Sequence, residues 1–138
     1  MPRVLMIGLD GFEISLAESM MADGLMPRMK ALREKSATFR LDHGEAKYSG
    51  LAWEHVSTGL APEDGGRWAA VSFDKATYAI AQPTTDLRPF MADLPVRTVA
   101  FDAPYCDLSY SKNTLGISNW GAHDPGVPTQ SNPPEILD

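Results

Sequence analysis

Asp10 and Ser49 are the residues of this sequence best placed for chemistry. Asp10 closes the apolar run "RVLMIGLDG" (3–11), with glycines at 8 and 11 leaving room beside it. A carboxylate just past a strand can bind a metal, orient a base or cap the following helix, and position alone leaves all three open. Ser49 lies in "YSGLAWEHVSTGLAPEDGGRW" (48–68), just ahead of a helix expected over 50–58. The free N–H groups and partial positive charge of a helix N-terminus favour a phosphoryl oxyanion and, weakly, a serine alkoxide. That field does not activate a serine by itself; an adjacent base or a metal is needed. The competing reading of Ser49 is an ordinary N-cap. Trp53 projects about one helical turn further along, either into the core or along a leaving-group pocket. Glu54 and His55 read as a solvated helix face or as the rim of a site.

Other chemistries find little support. His43, His55 and His123 are scattered, with no His-x-x-x-His or similar ligand spacing. The chain has no Gly-x-x-x-x-Gly-Lys-Ser/Thr loop and no Gly-x-Ser-x-Gly elbow, and "GLDGFE" lacks an Asp-x-Asp pair. "GISNWG" is not a dinucleotide fingerprint. Cys106 is the only cysteine, which excludes an intrachain disulfide and a Cys-based zinc site, and it reads as a small buried hydrophobe. A formal net charge of -6 argues against a phosphate-backbone binder, so no nucleic-acid polymer is expected as a partner. A small anionic substrate stays open, because a bound metal inverts the local field.

The elements expected to position these residues are those of an α/β domain. At 138 residues, 43% of them hydrophobic, the chain can bury the core of one domain. Residues 3–11 read as a strand buried on both faces, 13–22 as a helix stopped by Gly24, and Pro27 as the first turn of a second helix. "SATFRL" (36–41) reads as a short strand. "WAAVSF" and "ATYAIA" read as strands around an Asp-Lys turn. Residues 85–94 suit a helix weakened by Pro89, and 96–104 a second buried strand ending in Asp102. Asp102, Asn119 and Trp120 follow strand-like segments and are lesser site candidates. Residues 121–134 form a Pro/Gly loop, and "SNPPEILD" begins a helix capped by Asn132. That alternation implies a mostly parallel sheet flanked by helices. A helix stopping after about one turn is not stable alone, so the 138 residues are expected to be the front part of a longer protein. No apolar run is long enough to span a membrane, and "VLMIGL" is too short for a signal sequence, so a cytoplasmic location is expected.

Taken in order, "VLMIGLDG", "GLMPRMKAL", "YSGLAWEHVSTGLAPEDGGRW" and "VAFDAPY" make the chain resemble the type I phosphodiesterase/nucleotide pyrophosphatase family of the alkaline phosphatase superfamily. "STGLAP" (57–62) sets the register and places the family's nucleophile on Ser49, nine residues before Thr58. "PPEIL" resembles the start of the next helix, and the resemblance spans essentially the whole chain. It implies the N-terminal portion of an alkaline-phosphatase-like catalytic domain and two divalent metal ions, commonly zinc. Asp10 would be the first metal ligand, and Ser49 a metal-bound nucleophile forming a covalent phospho-enzyme. The implied substrate is a small phosphorylated molecule. Three departures stand out. Gly65-Gly66 replaces the family's usual His-Gly, serine replaces the commoner threonine, and the family's remaining ligands lie downstream of this front segment. "YSGLAW" also lacks the Cys/Ser-x-Pro-x-Arg of sulfatases. The alternative is a catalytically incomplete binding or regulatory module on the same scaffold.

Overall fold

The computed structural model describes residues 3–121 and 127–138. Two units divide the chain, Met1–Asp42 and His43–Asp138. Helices and small sheets together give the molecule a coarse α/β character.

The first unit is a helical pair. Helix α1 (Ile14–Ala22) starts where the Glu13 carboxylate accepts from the Ser15 N–H at 3.1 Å and from its hydroxyl at 2.7 Å. Those bonds hold the Glu13 carboxyl below its ordinary range. Gly24, in the left-handed region at φ 77°, lets the chain reverse, and Leu25 N–H closes on the Met20 carbonyl at 2.8 Å. Pro27 opens α2 (Pro27–Glu34), as the sequence predicts. Ala17 and Met21, one turn apart, are the buried residues of α1.

Two expected strands do not form. Residues 3–11 and 36–41 belong to no strand, and Val4, Leu5, Ile7, Phe39 and Leu41 are all exposed. An apolar run is a strand only when another strand satisfies its N–H and C=O groups, and among the described residues none pairs with either segment.

The second unit opens with a 3-10 turn, Gly44–Tyr48, followed by α3 (Ala52–Thr58), which is two residues shorter at its start than expected. Gly59, at φ 73°, ends α3, and its N–H bonds the His55 carbonyl at 2.8 Å. Pro62 then begins the single turn α4 (Pro62–Gly65). "STGLAP" is thus a helix stop followed by a helix start. Strands β1 (Ser72–Asp74) and β2 (Ala79–Ala81) pair antiparallel around the expected Asp-Lys turn. The Asp74 carboxylate takes the Ala76 N–H at 2.8 Å and the Thr77 hydroxyl at 2.9 Å, which lowers its pKa. Between 85 and 94 only a 3-10 turn forms, Phe90–Asp93, because Pro89 is extended and supplies no N–H.

The second sheet has the order β3-β4-β5. Strand β3 (Thr98–Phe101), the core of the expected 96–104 strand, runs parallel to β4 (Thr114–Ser118), with Ala100 opposite Gly116. Strand β5 (Gln130–Asn132) pairs antiparallel to β4 inside the stretch expected to be loop. Asn132 therefore ends a strand and caps no α-helix. Its Nδ2 donates to the carbonyls of Thr114 at 2.6 Å and Ser111 at 3.0 Å, and residues Pro134–Leu137 make a 3-10 turn. Two apolar clusters fill this unit. Leu51, Tyr105 and Val127 pack with Trp53 and Ala70, and Ala100, Cys106 and Leu108 pack with Met91 and Ala103.

Candidate functional site

Ser49 follows the 3-10 turn in helical conformation and is only 7% exposed. Its Oγ donates to the Ala46 carbonyl at 2.7 Å and accepts from the Leu51 N–H at 3.0 Å. Gly50, at φ 72°, then redirects the chain so that Leu51 becomes the N-cap of α3. The hydroxyl therefore locks the approach to the helix from three residues upstream of its first residue, and it is not the cap itself. Asp10 lies in a turn of the first unit, with Gly11 at φ 62°. Glu13 caps α1, so of the three readings of Asp10 helix capping is not the one this fold uses.

Trp53 is half-buried and packs on the Leu51–Tyr105–Val127 cluster. Beside it the polar face of α3 turns inward, contrary to the solvated face expected for Glu54. Glu54 is 1% exposed and forms a 2.6 Å ion pair with Arg67. Arg67 also donates to the Pro83 carbonyl at 2.7 Å, and its guanidinium lies 5.5 Å from the centre of the Tyr105 ring. The Tyr105 hydroxyl accepts from Gln82 Nε2 at 2.9 Å.

The carboxyl ends of parallel β3 and β4 are where ligands gather in open α/β sheets. Asp102, Tyr105 and Asn119 all adopt left-handed backbone there, at φ 51°, 53° and 55°. Their polar groups close turns. Asp102 Oδ1 accepts from the Trp120 and Gly121 N–H groups, and Asn119 Oδ1 accepts from the Tyr105 N–H at 2.9 Å. Cys106 is buried at this end, its thiol aimed at Met91 Sδ at 3.8 Å, and burial pushes its pKa up. It is a neutral packing residue, as the sequence suggests.

Sequence reasoning missed one juxtaposition. His43 Nε2 and His55 Nδ1 lie 2.9 Å apart, with the rings edge-to-face at 81°. Burial first, and then the neighbouring His43, lower the His55 pKa, against the opposing pull of Glu54 and Glu63. Among the described residues, the buried His55 Nε2 has no hydrogen-bond partner. A separation of 12 residues matches no helical or ligand spacing. It becomes a contact only because the 3-10 turn doubles the chain back toward α3. His123 lies outside the described residues.

A two-metal centre takes about three protein ligands per ion. Asp10 and Ser49 offer one carboxylate and one hydroxyl. Among the described residues no group of three or more His, Cys, Asp or Glu side chains stands ready to hold a metal. Comparison with protein-family models, with curated proteins and with solved structures finds no match to this chain.

Proposed function

We propose that the chain is the front portion of a metal-dependent hydrolase of phosphodiester or pyrophosphate bonds, with Ser49 as nucleophile and Asp10 as a metal ligand. The observation that carries this reading is the ordered series of "VLMIGLDG", "GLMPRMKAL", Ser49 and "STGLAP" at the spacing of the phosphodiesterase family it resembles. The parallel β3–β4 pair, with Asp102 just past β3, is compatible with a larger, mostly parallel sheet, which belongs to the same proposal. The chemistry asked of Ser49 is specific. Its proton points at the Ala46 carbonyl, which cannot act as a base, so Oγ must rotate and give the proton elsewhere. Oγ then bonds to phosphorus as the bond to the leaving oxygen breaks, the leaving oxygen takes up the serine's proton by way of solvent and departs as the alcohol, and water hydrolyses the resulting ester and restores the Ser49 hydroxyl.

A second reading, a binding or regulatory module on the same scaffold, draws on the same residue. A buried hydroxyl whose donor and acceptor are both spent on backbone is typical of a structural serine. One experiment separates the two. Turnover of a nitrophenyl phosphodiester by the product of the full open reading frame, with zinc supplied, should be abolished in Ser49→Ala and sharply reduced in Asp10→Asn. Undiminished turnover in a folded Ser49→Ala protein removes Ser49 from the chemistry. No turnover in the unsubstituted protein favours the module.

A further inference from the structure

We propose that His43 Nε2 and His55 Nδ1 form a bidentate site for a late first-row divalent ion of the copper(II) or nickel(II) kind. Water would fill the remaining positions. The inference is independent of Asp10, Ser49 and the hydrolase reading. It rests on two neutral-capable imidazoles whose ring nitrogens converge from different elements, the loop before the 3-10 turn and α3.

The separation selects the geometry. With metal–nitrogen bonds of about 2.0–2.1 Å, nitrogens 2.9 Å apart subtend roughly 90° at the ion. That is the angle between adjacent ligands of a square-planar or octahedral ion. Tetrahedral zinc needs about 3.3–3.4 Å between its nitrogens, so the pair would have to spread. Imidazole suits copper(II) and nickel(II), and copper heads the affinity order among divalent ions.

The proton account closes without an added base. In the neutral pair a single hydrogen lies between the two facing nitrogens. Metal entry moves it to the other nitrogen of the same ring, His43 Nδ1 or His55 Nε2, leaving two neutral ligands and releasing no proton. Glu63 adds negative potential near the ring. Glu54 is committed to Arg67.

The test is titration of the purified chain with copper(II) alone, read by electron paramagnetic resonance. The unsubstituted chain should show nitrogen hyperfine structure from two imidazoles at one equivalent. His43→Gln and His55→Gln should each reduce this to one nitrogen and weaken binding by about tenfold or more. His123→Gln should leave the signal intact. His43 is exposed, so His43→Gln reports on binding without threatening the fold, and circular dichroism checks this. Absence of a two-imidazole signal in the unsubstituted chain, or its survival in His43→Gln, overturns the site.

Discussion

At Ser49, losing the hydroxyl removes a donor to the Ala46 carbonyl and an acceptor for the Leu51 N–H in a nearly dry position. Ser49→Ala is therefore expected to cost about 1–3 kcal/mol, whatever it does to catalysis, and urea unfolding of the isolated chain measures this. The Glu54–Arg67 pair makes a larger claim. Removing one partner of a buried ion pair leaves the other charge uncompensated, so Arg67→Met should destabilise by about 3–5 kcal/mol. The double variant Glu54→Leu/Arg67→Met should recover most of that loss, and a double-mutant cycle by denaturant unfolding checks it. Neither residue announces its role locally. Glu54 and His55 read as a solvated helix face, and Arg67, 13 residues on from Glu54, meets it only after α4 has turned the chain.

Among the elements, the β3–β4 ladder depends on one glycine. A Cβ on Gly116 would lie 1.7 Å from the Ala100 carbonyl oxygen, and φ 141° is a conformation that side chains rarely adopt. Gly116→Ala should therefore break the parallel pairing at a cost of about 3 kcal/mol or more. Loss of amide-exchange protection across Thr98–Phe101 is the expected signature. Protection equal to that of the unsubstituted chain would show that the ladder tolerates the clash. Elements with local punctuation were legible: α1 and α2 from Gly24 and Pro27, and the β1–β2 hairpin from its Asp-Lys turn, while the helix expected over 50–58 kept its end and lost its first two residues. The apolar run 3–11 forms no strand because hydrophobicity does not supply a partner strand. Strand β5 was missed because "QSN" has no strand character of its own and exists through its bonds to β4.

For the molecule as a whole, stability should depend on pH through His55. Its pKa is lower in the folded protein than the ordinary 6.5, so the unfolded chain binds the proton first. Stability is constant above that range, falls as pH drops below about 6.5, and levels off once the folded form is protonated as well. Asp74 and Asp93, held low by their hydrogen bonds, lose their contributions only at more acid pH, below the carboxylate range. Thermal melts from pH 8 to 5 should show the loss, and His55→Gln should flatten it. Exposed apolar surface is a second property at this scale. Val4, Leu5 and Ile7, and separately Val99 and Phe101 on β3, stand open to solvent in a chain of net charge -6. Patches of that kind bind apolar dyes. Native-state dye fluorescence should be high and should fall in Val99→Lys/Phe101→Lys, with an unchanged signal assigning the binding elsewhere.

The sequence by itself determined the Asp-Lys hairpin turn, the ends of α1 and α3, the start of α2, the inertness expected of Cys106 and the ordered series on which the proposal for Asp10 and Ser49 rests. Each follows from the conformational limits of glycine and proline, from short-range bonding, or from residue order. Tertiary structure alone decided that Glu54 is buried against Arg67, that Asn132 bridges strands, and that His43 meets His55. The physical reason is the same in each case. A long-range contact is fixed by where the intervening turns bring the backbone and by which polar groups must find partners away from water, and no local pattern in the sequence carries that information.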